Sequence, residues 1–254
     1  MKQIPNLFTL LNLVFGCLAI VSVLQNGIII TVDSSGTQLI DMPEKIWMAS
    51  LYIGLAAVID FVDGFIARLF KANSEMGKQL DSLADLVSFG VAPGLIVYQF
   101  LRLSFARQEG GIEISSLWLM PALILPCAAA YRLAKFNLDT SQAFSFKGLP
   151  VPVVGMLIAS LPLIYWNVNE AWVTDVLLNK WFLYGLVLLL SYLMVSNIPL
   201  MSLKFKNPGI KDNLPKYILA VITIAAVVTL KWLAVPVVML AYVLVSLLFK
   251  NKIA

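Results

Sequence analysis

Histidine is absent from all 254 residues, so imidazole cannot be base, nucleophile or metal ligand, and Ser-His-Asp chemistry and histidine-held zinc are excluded. Cysteine is nearly absent too. Cys17 and Cys127 both fall inside apolar runs, which argues against a disulfide framework or a thiolate metal site. Charge is scarce: only 13% of the residues are Asp, Glu, Lys or Arg, against about 25% in an ordinary soluble domain. No basic patch interleaved with aromatics supports the net charge of +4, so nucleic acid is not an expected partner. The first apolar run lacks a sizeable basic leader and a small-residue cleavage site, and it carries Asn6, Thr9 and Asn12. It reads as a retained span rather than a cleaved signal peptide.

What is present is apolar length, with 60% of the residues hydrophobic. A membrane span takes about 20 such residues. Suitable runs are Leu7 to Gln25, Ile46 to Leu69, Leu83 to Phe100, Leu117 to Lys135, Val151 to Trp166, Trp181 to Pro199, Leu214 to Leu230 and Leu233 to Phe249. The last two are short, and Lys231, Trp232 and Pro236 mark a turn between them. The expectation is an all-α, polytopic membrane bundle with eight spans, six being the alternative. Lys and Arg collect on the cytoplasmic side of membrane proteins. With the N-terminus inside, thirteen of the eighteen basic residues fall in inner loops: Lys2, Arg68, Lys71, Lys78, Arg132, Lys135, Lys147, Lys204, Lys206, Lys211, Lys216, Lys250 and Lys252. That split favours eight spans with both termini cytoplasmic. Repeats, low-complexity tracts and soluble domains are lacking, so one membrane domain is expected.

Against this background four aspartates stand out. A charge near the bilayer centre costs roughly 3 kcal/mol on insertion scales, so such residues are usually functional. Asp60 and Asp63 are three apart, and Gly64 and Ala67 continue the same helical stripe. Asp81 and Asp85 are four apart, with Gly77 one turn earlier. Carboxylates meeting at one site repel each other unless cations bind, and hard divalent ions such as Mg²⁺ prefer oxygen ligands. The small residues leave room for a bulky ligand, and they equally suit tight helix packing. Arg68 can meet a phosphate or pair with a carboxylate.

The full spacing, D-x2-D-G-x2-A-R-x8-G-x3-D-x3-D from Asp60 to Asp85, resembles the signature of the CDP-alcohol phosphatidyltransferase family. The resemblance implies transfer of a phosphatidyl group from a CDP-linked lipid to an alcohol, with release of CMP. It also implies a six-helix catalytic core, residues 1–206 here, to which residues 207–254 add two helices. Family members are usually dimeric, which implies a homodimer in the cell (inner) membrane with its site facing the cytoplasm. Carried over by position, Asp60, Asp63, Asp81 and Asp85 look like ligands for Mg²⁺ or Mn²⁺, and Asp85 looks like the general base. Asp60, Gly64, Ala67, Arg68 and Gly77 resemble nucleotide-binding positions, and Asn6 and Thr9 are expected to add polar contacts.

Four further stretches, IPNLFTLLNLVFG from Ile4, YRLAKFN from Tyr131, FKGLPVP from Phe146 and SYLMVSNIP from Ser191, look like bacterial members that use CDP-diacylglycerol and serine. A serine acceptor is a zwitterion whose carboxylate wants a cation. Arg132 and Lys135, followed by Asn137 and Lys147, are expected on the acceptor side, although each also suits anchoring at lipid headgroups. A phosphorylated acceptor, glycerol 3-phosphate or an inositol phosphate, is the alternative and would favour a denser basic cluster. A divalent-cation transporter would instead set carboxylates along the depth of a pathway.

Overall fold

The computed structural model describes residues 4–32, 34, 38–69, 74–108, 110–138, 146–201 and 213–249. Helix α1 (Ile4–Gln25) is followed by the short antiparallel strands β1 (Ile29–Val32) and β2 (Gln38–Asp41), with Ile29 opposite Asp41. Helix α2 (Trp47–Leu69) then returns along α1. Both are apolar over their length, and both turn large side chains outward, among them Leu7, Val14, Val58 and Phe61. In a membrane protein those are lipid-facing positions rather than a defect of the core.

Helix α3 (Glu75–Asp85) starts where Ser74 caps it, the hydroxyl accepting from the Gly77 N–H at 3.0 Å. It runs through a π-helical turn at Leu86–Val91 into α4 (Ala92–Ala106). Pro93 explains the widened turn: it has no N–H, and its ring crowds the carbonyl four residues back. The continuous helix covers 32 residues, about 48 Å at 1.5 Å per residue, against about 30 Å of hydrocarbon. One end must project past the apolar layer. The polar α3, with Glu75, Lys78, Gln79 and Asp81, is that end.

Helices α5 (Ile124–Leu138), α6 (Val151–Asn167), α7 (Ala171–Leu177) and α8 (Lys180–Val195) complete the central group. Two-residue strands β3 (Phe146–Lys147) and β4 (Pro199–Leu200) pair antiparallel beside it. Helices α9 (Leu214–Leu230) and α10 (Ala234–Leu248) pack against each other after a break at Lys231, whose φ is 50°. The core sits where the π-helical turn is gripped from two sides. A Cβ on Gly16 would lie 2.3 Å from Ser88 Oγ, and one on Gly155 would lie 2.8 Å from Phe89 Cβ. Only glycine lets α1 and α6 approach that closely.

Among the described residues, four helical stretches are long and apolar enough to cross a membrane: Pro5–Gln25, Glu44–Ile66, Glu75–Ala106 and Leu214–Leu248, the last of them broken at Lys231. The pair α7 and α8, bent by 63° at its break, makes a fifth if taken as one span. The molecule is therefore a mostly helical membrane protein. Three expected spans change their bounds, the sixth ending at Val195 rather than running on to Pro199, which lies in β4. The third begins at Glu75 rather than Leu83, because the Ser74 cap lets polar residues join the helix. The fourth is α-helical only from Ile124, its earlier part lying in tight 3-10 turns that accommodate Pro121.

Candidate active site

Helices α1, α2 and α3 bring the aspartates together. Carboxylate oxygens of Asp60, Asp63 and Asp81 all lie within 4.8 Å of one another. Thr9 Oγ1 donates to Asp63 Oδ2 at 2.9 Å, and both residues are nearly buried. Asp85 lies one turn further along α3, outside that group of three. Asn12 Nδ2 donates to Asp85 Oδ1 at 3.3 Å, and the side chains of Asp60 and Asp85 are within hydrogen-bonding reach of each other. Two unit charges at such separations repel by about 3 kcal/mol at an effective dielectric near 20. The donor set is all oxygen and strongly negative, which fits a hard divalent cation.

Beside the carboxylates opens a cavity of about 530 Å³, lined by Pro5, Asn6, Thr9, Asp63, Gly64, Ser74, Glu75, Gly77, Lys78 and Asp81. A Cβ on Gly64 would meet nothing within 4 Å, so this glycine faces open space. Gly77 is different: a Cβ there would lie 3.0 Å from Ser74 Oγ and 3.2 Å from Asn6 Oδ1. Asn6, Thr9, Gly64 and Gly77 thus line one cavity. Ala67 and Arg68 continue α2, but their side chains lie outside the described residues.

Asn12, Ser74 and Lys78 were not singled out from the sequence as site residues. Asn12 falls three residues after Thr9 and four before Gly16, a helical stripe that could have identified it. Ser74 is a cap preceding a helix, another readable signal. Lys78 Nζ donates to the Asn137 carbonyl at 2.9 Å, and Asn137 Nδ2 donates to Ser82 Oγ at 2.9 Å. These two bonds clasp the end of α5 onto α3.

The expected acceptor residues separate. Arg132 is buried at 7% exposure, its Nη2 3.4 Å from the Gly148 carbonyl, and it stands close enough to Asp85 for the charges to interact. Its Nε has no hydrogen-bond partner among the described residues. Lys135 instead donates to Asn197 Oδ1 at 2.7 Å, and Asn137 serves the clasp. The Lys147 side chain lies outside the described residues. Three stretches distant in sequence converge here. Gly148 N–H donates to the Ile198 carbonyl and Leu149 N–H to the Leu193 carbonyl, each at 2.9 Å. Gly148 has φ 74°, and a Cβ there would lie 2.5 Å from the Met194 carbonyl oxygen, so the junction demands glycine.

Residues 2–192 match the family model described as CDP-alcohol phosphatidyltransferase. The chain is 36% identical over 182 residues to the CDP-diacylglycerol--serine O-phosphatidyltransferase of Helicobacter pylori strain J99, covering 71% of this chain and 70% of that one. It is 33% identical over 171 residues to the Bacillus subtilis protein of the same name, covering 65% and 78%. A Saccharomyces cerevisiae protein, again of that name, is 34% identical over 128 residues, covering 47% and 42%. With its aspartate spacing folded into one carboxylate cluster beside an open cavity, the chain belongs to the CDP-alcohol phosphatidyltransferase family.

Proposed function

We propose that the protein transfers the phosphatidyl group of CDP-diacylglycerol to the hydroxyl of L-serine, giving phosphatidylserine and CMP. The observation that carries this reading is the buried guanidinium of Arg132, which lies within electrostatic range of Asp85 and whose Nε has no partner among the described residues. A cation within electrostatic range of a base suits an acceptor that brings both a carboxylate and a hydroxyl. The names of the relatives agree with it.

Asp60, Asp63, Asp81 and Asp85 would hold Mg²⁺ or Mn²⁺, which when bound neutralises phosphate charge and polarises the lipid phosphate. Asp85 takes the proton of the serine hydroxyl as its oxygen bonds to the phosphatidyl phosphorus and the bond from that phosphorus to the CMP oxygen breaks. Asn12 holds the Asp85 carboxylate by its hydrogen bond. Asn6, Thr9, Gly64, Ala67, Arg68 and Gly77 form the nucleotide wall, where the glycines let the ligand approach the helices. Arg132 pairs with the serine carboxylate, and Lys135, Asn137 and Lys147 support that side of the site.

In this reading the chain crosses the cell (inner) membrane eight times with both termini cytoplasmic, as the distribution of Lys and Arg supports. Residues 1–206 form the catalytic core, residues 207–254 a C-terminal hairpin, and two copies form a homodimer. Purified protein in vesicles containing CDP-diacylglycerol tests the function. Label from serine should enter lipid with equimolar release of CMP. Transfer to glycerol 3-phosphate in place of serine would remove the acceptor assignment, and transfer to neither would remove the enzyme reading.

A further inference from the structure

Helix α10 carries two side chains able to hydrogen-bond, Tyr242 and Ser246, in an otherwise apolar sequence. They are four apart and share one face. Both are spent on one residue outside the helix. Tyr242 Oη donates to the Met201 carbonyl at 2.9 Å, and Ser246 Oγ accepts from the Met201 N–H at 3.2 Å. Tyr242 is 8% exposed and Ser246 is fully buried. Met201 directly follows β4, which pairs with β3, and Gly148 directly follows β3. The Gly148 carbonyl is the group that accepts from Arg132.

Tyr242 reaches Arg132 through this chain of contacts, its own hydroxyl being spent on the Met201 carbonyl. Arg132 is thus held at the Gly148 carbonyl, within electrostatic range of Asp85 of α3. A buried guanidinium with an unpaired Nε depends on its few neighbours for its placement. Residues 2–192 match the family model, so the helix that anchors the ribbon lies beyond the matched part.

We infer that the C-terminal hairpin is part of the acceptor side: α10 fixes Met201 and the β3–β4 ribbon, and through Met201, the ribbon and Gly148 the Tyr242 side chain is a positioning residue for Arg132. The inference rests on the proposed role of Arg132 toward the acceptor carboxylate. It predicts that changes on α10 alter handling of the alcohol and spare handling of the CDP-linked lipid. A hairpin that only anchors the chain would affect both substrates alike, or neither.

The test is steady-state kinetics of the full chain in vesicles, each substrate varied at saturation of the other. Tyr242→Phe keeps the ring and removes the hydroxyl. It should raise the serine KM about tenfold, the scale of one lost hydrogen bond near a charged group, and leave the CDP-diacylglycerol KM within about twofold. Ser246→Ala should act in the same direction more weakly. Combining Tyr242→Phe with Arg132→Lys should give less than the product of the single effects, because the two residues act as one unit. Leu240→Ala, on the exposed face of the same helix, should leave both constants unchanged. An unchanged serine KM in Tyr242→Phe and Ser246→Ala overturns the inference, as does a parallel rise in both KM values. Failure of the wild type to use serine sinks the proposed function separately, and the same split is then read with glycerol 3-phosphate as the alcohol.

Discussion

Thr9 and Asp63 join α1 to α2 through a 2.9 Å hydrogen bond from Oγ1 to Oδ2, at 4% and 6% exposure. One oxygen of Asp63 is thereby committed, which sets the angle at which the carboxylate meets Asp60 and Asp81. Thr9→Val keeps the branched shape and removes the donor. A hydrogen bond to a charged group contributes about 1.5 to 3 kcal/mol, so the variant should need at least about tenfold more Mg²⁺ for half-maximal activity. Saturating Mg²⁺ should restore most of the rate. A Mg²⁺ titration that overlays the wild type would show that Thr9 does not orient Asp63.

Removing the metal is the more severe test. With an all-oxygen cluster, excess chelator should abolish turnover, and Mg²⁺ or Mn²⁺ should restore it. Asp63→Asn deletes one charge from the cluster and should lose most activity while the protein stays folded in detergent. Asp85→Asn keeps the shape and removes the proposed base. Its kcat should stay depressed, by about a hundredfold or more, even at saturating metal. Full activity in chelator would refute the metal reading.

Much of this site is legible from local pattern. The apolar runs mark α1, α2 and α6 within a few residues, and the aspartate spacing marks two faces that do meet. What is not legible comes from contacts between distant residues. The π-helical turn after Asp85 depends on Pro93 acting back along the helix and on Gly16 and Gly155 arriving from α1 and α6. Arg132 differs from Lys135 only by which neighbour its side chain reaches, since both lie on one helix a turn apart. Periodicity groups them, whereas tertiary packing sends one to the Gly148 carbonyl and the other to Asn197.

Gly148 offers a stability test of the junction below Arg132. At φ 74°, with Cβ space blocked by the Met194 and Ser196 carbonyl oxygens at 2.5 and 2.7 Å, any side chain must move backbone. Gly148→Ala should cost about 1 to 3 kcal/mol or more from the backbone conformation and crowding together. Thermal unfolding in detergent should show a clear fall in Tm. An unshifted Tm would mean that the β3–β4 ribbon tolerates rearrangement and does not hold Arg132 rigidly.

The choice among acceptor cations is the sharpest functional prediction. Arg132 is buried, within electrostatic range of Asp85 and has an Nε with no partner among the described residues, whereas Lys135 is less buried and already bonded to Asn197. If Arg132 pairs with the serine carboxylate, Arg132→Gln should raise the serine KM by about 10- to 150-fold, the range that 1.5 to 3 kcal/mol implies. The KM for CDP-diacylglycerol should change far less, because the nucleotide wall lies on α1, α2 and α3. Lys135→Gln should produce only a small effect on either constant, since it removes a tie to the α8–β4 turn and not a substrate contact. Arg132→Lys should recover part of the loss, as it returns the charge without the planar fork. A normal serine KM in Arg132→Gln, with a raised one in Lys135→Gln, would transfer the role to Lys135 and require its Asn197 bond to break when serine binds.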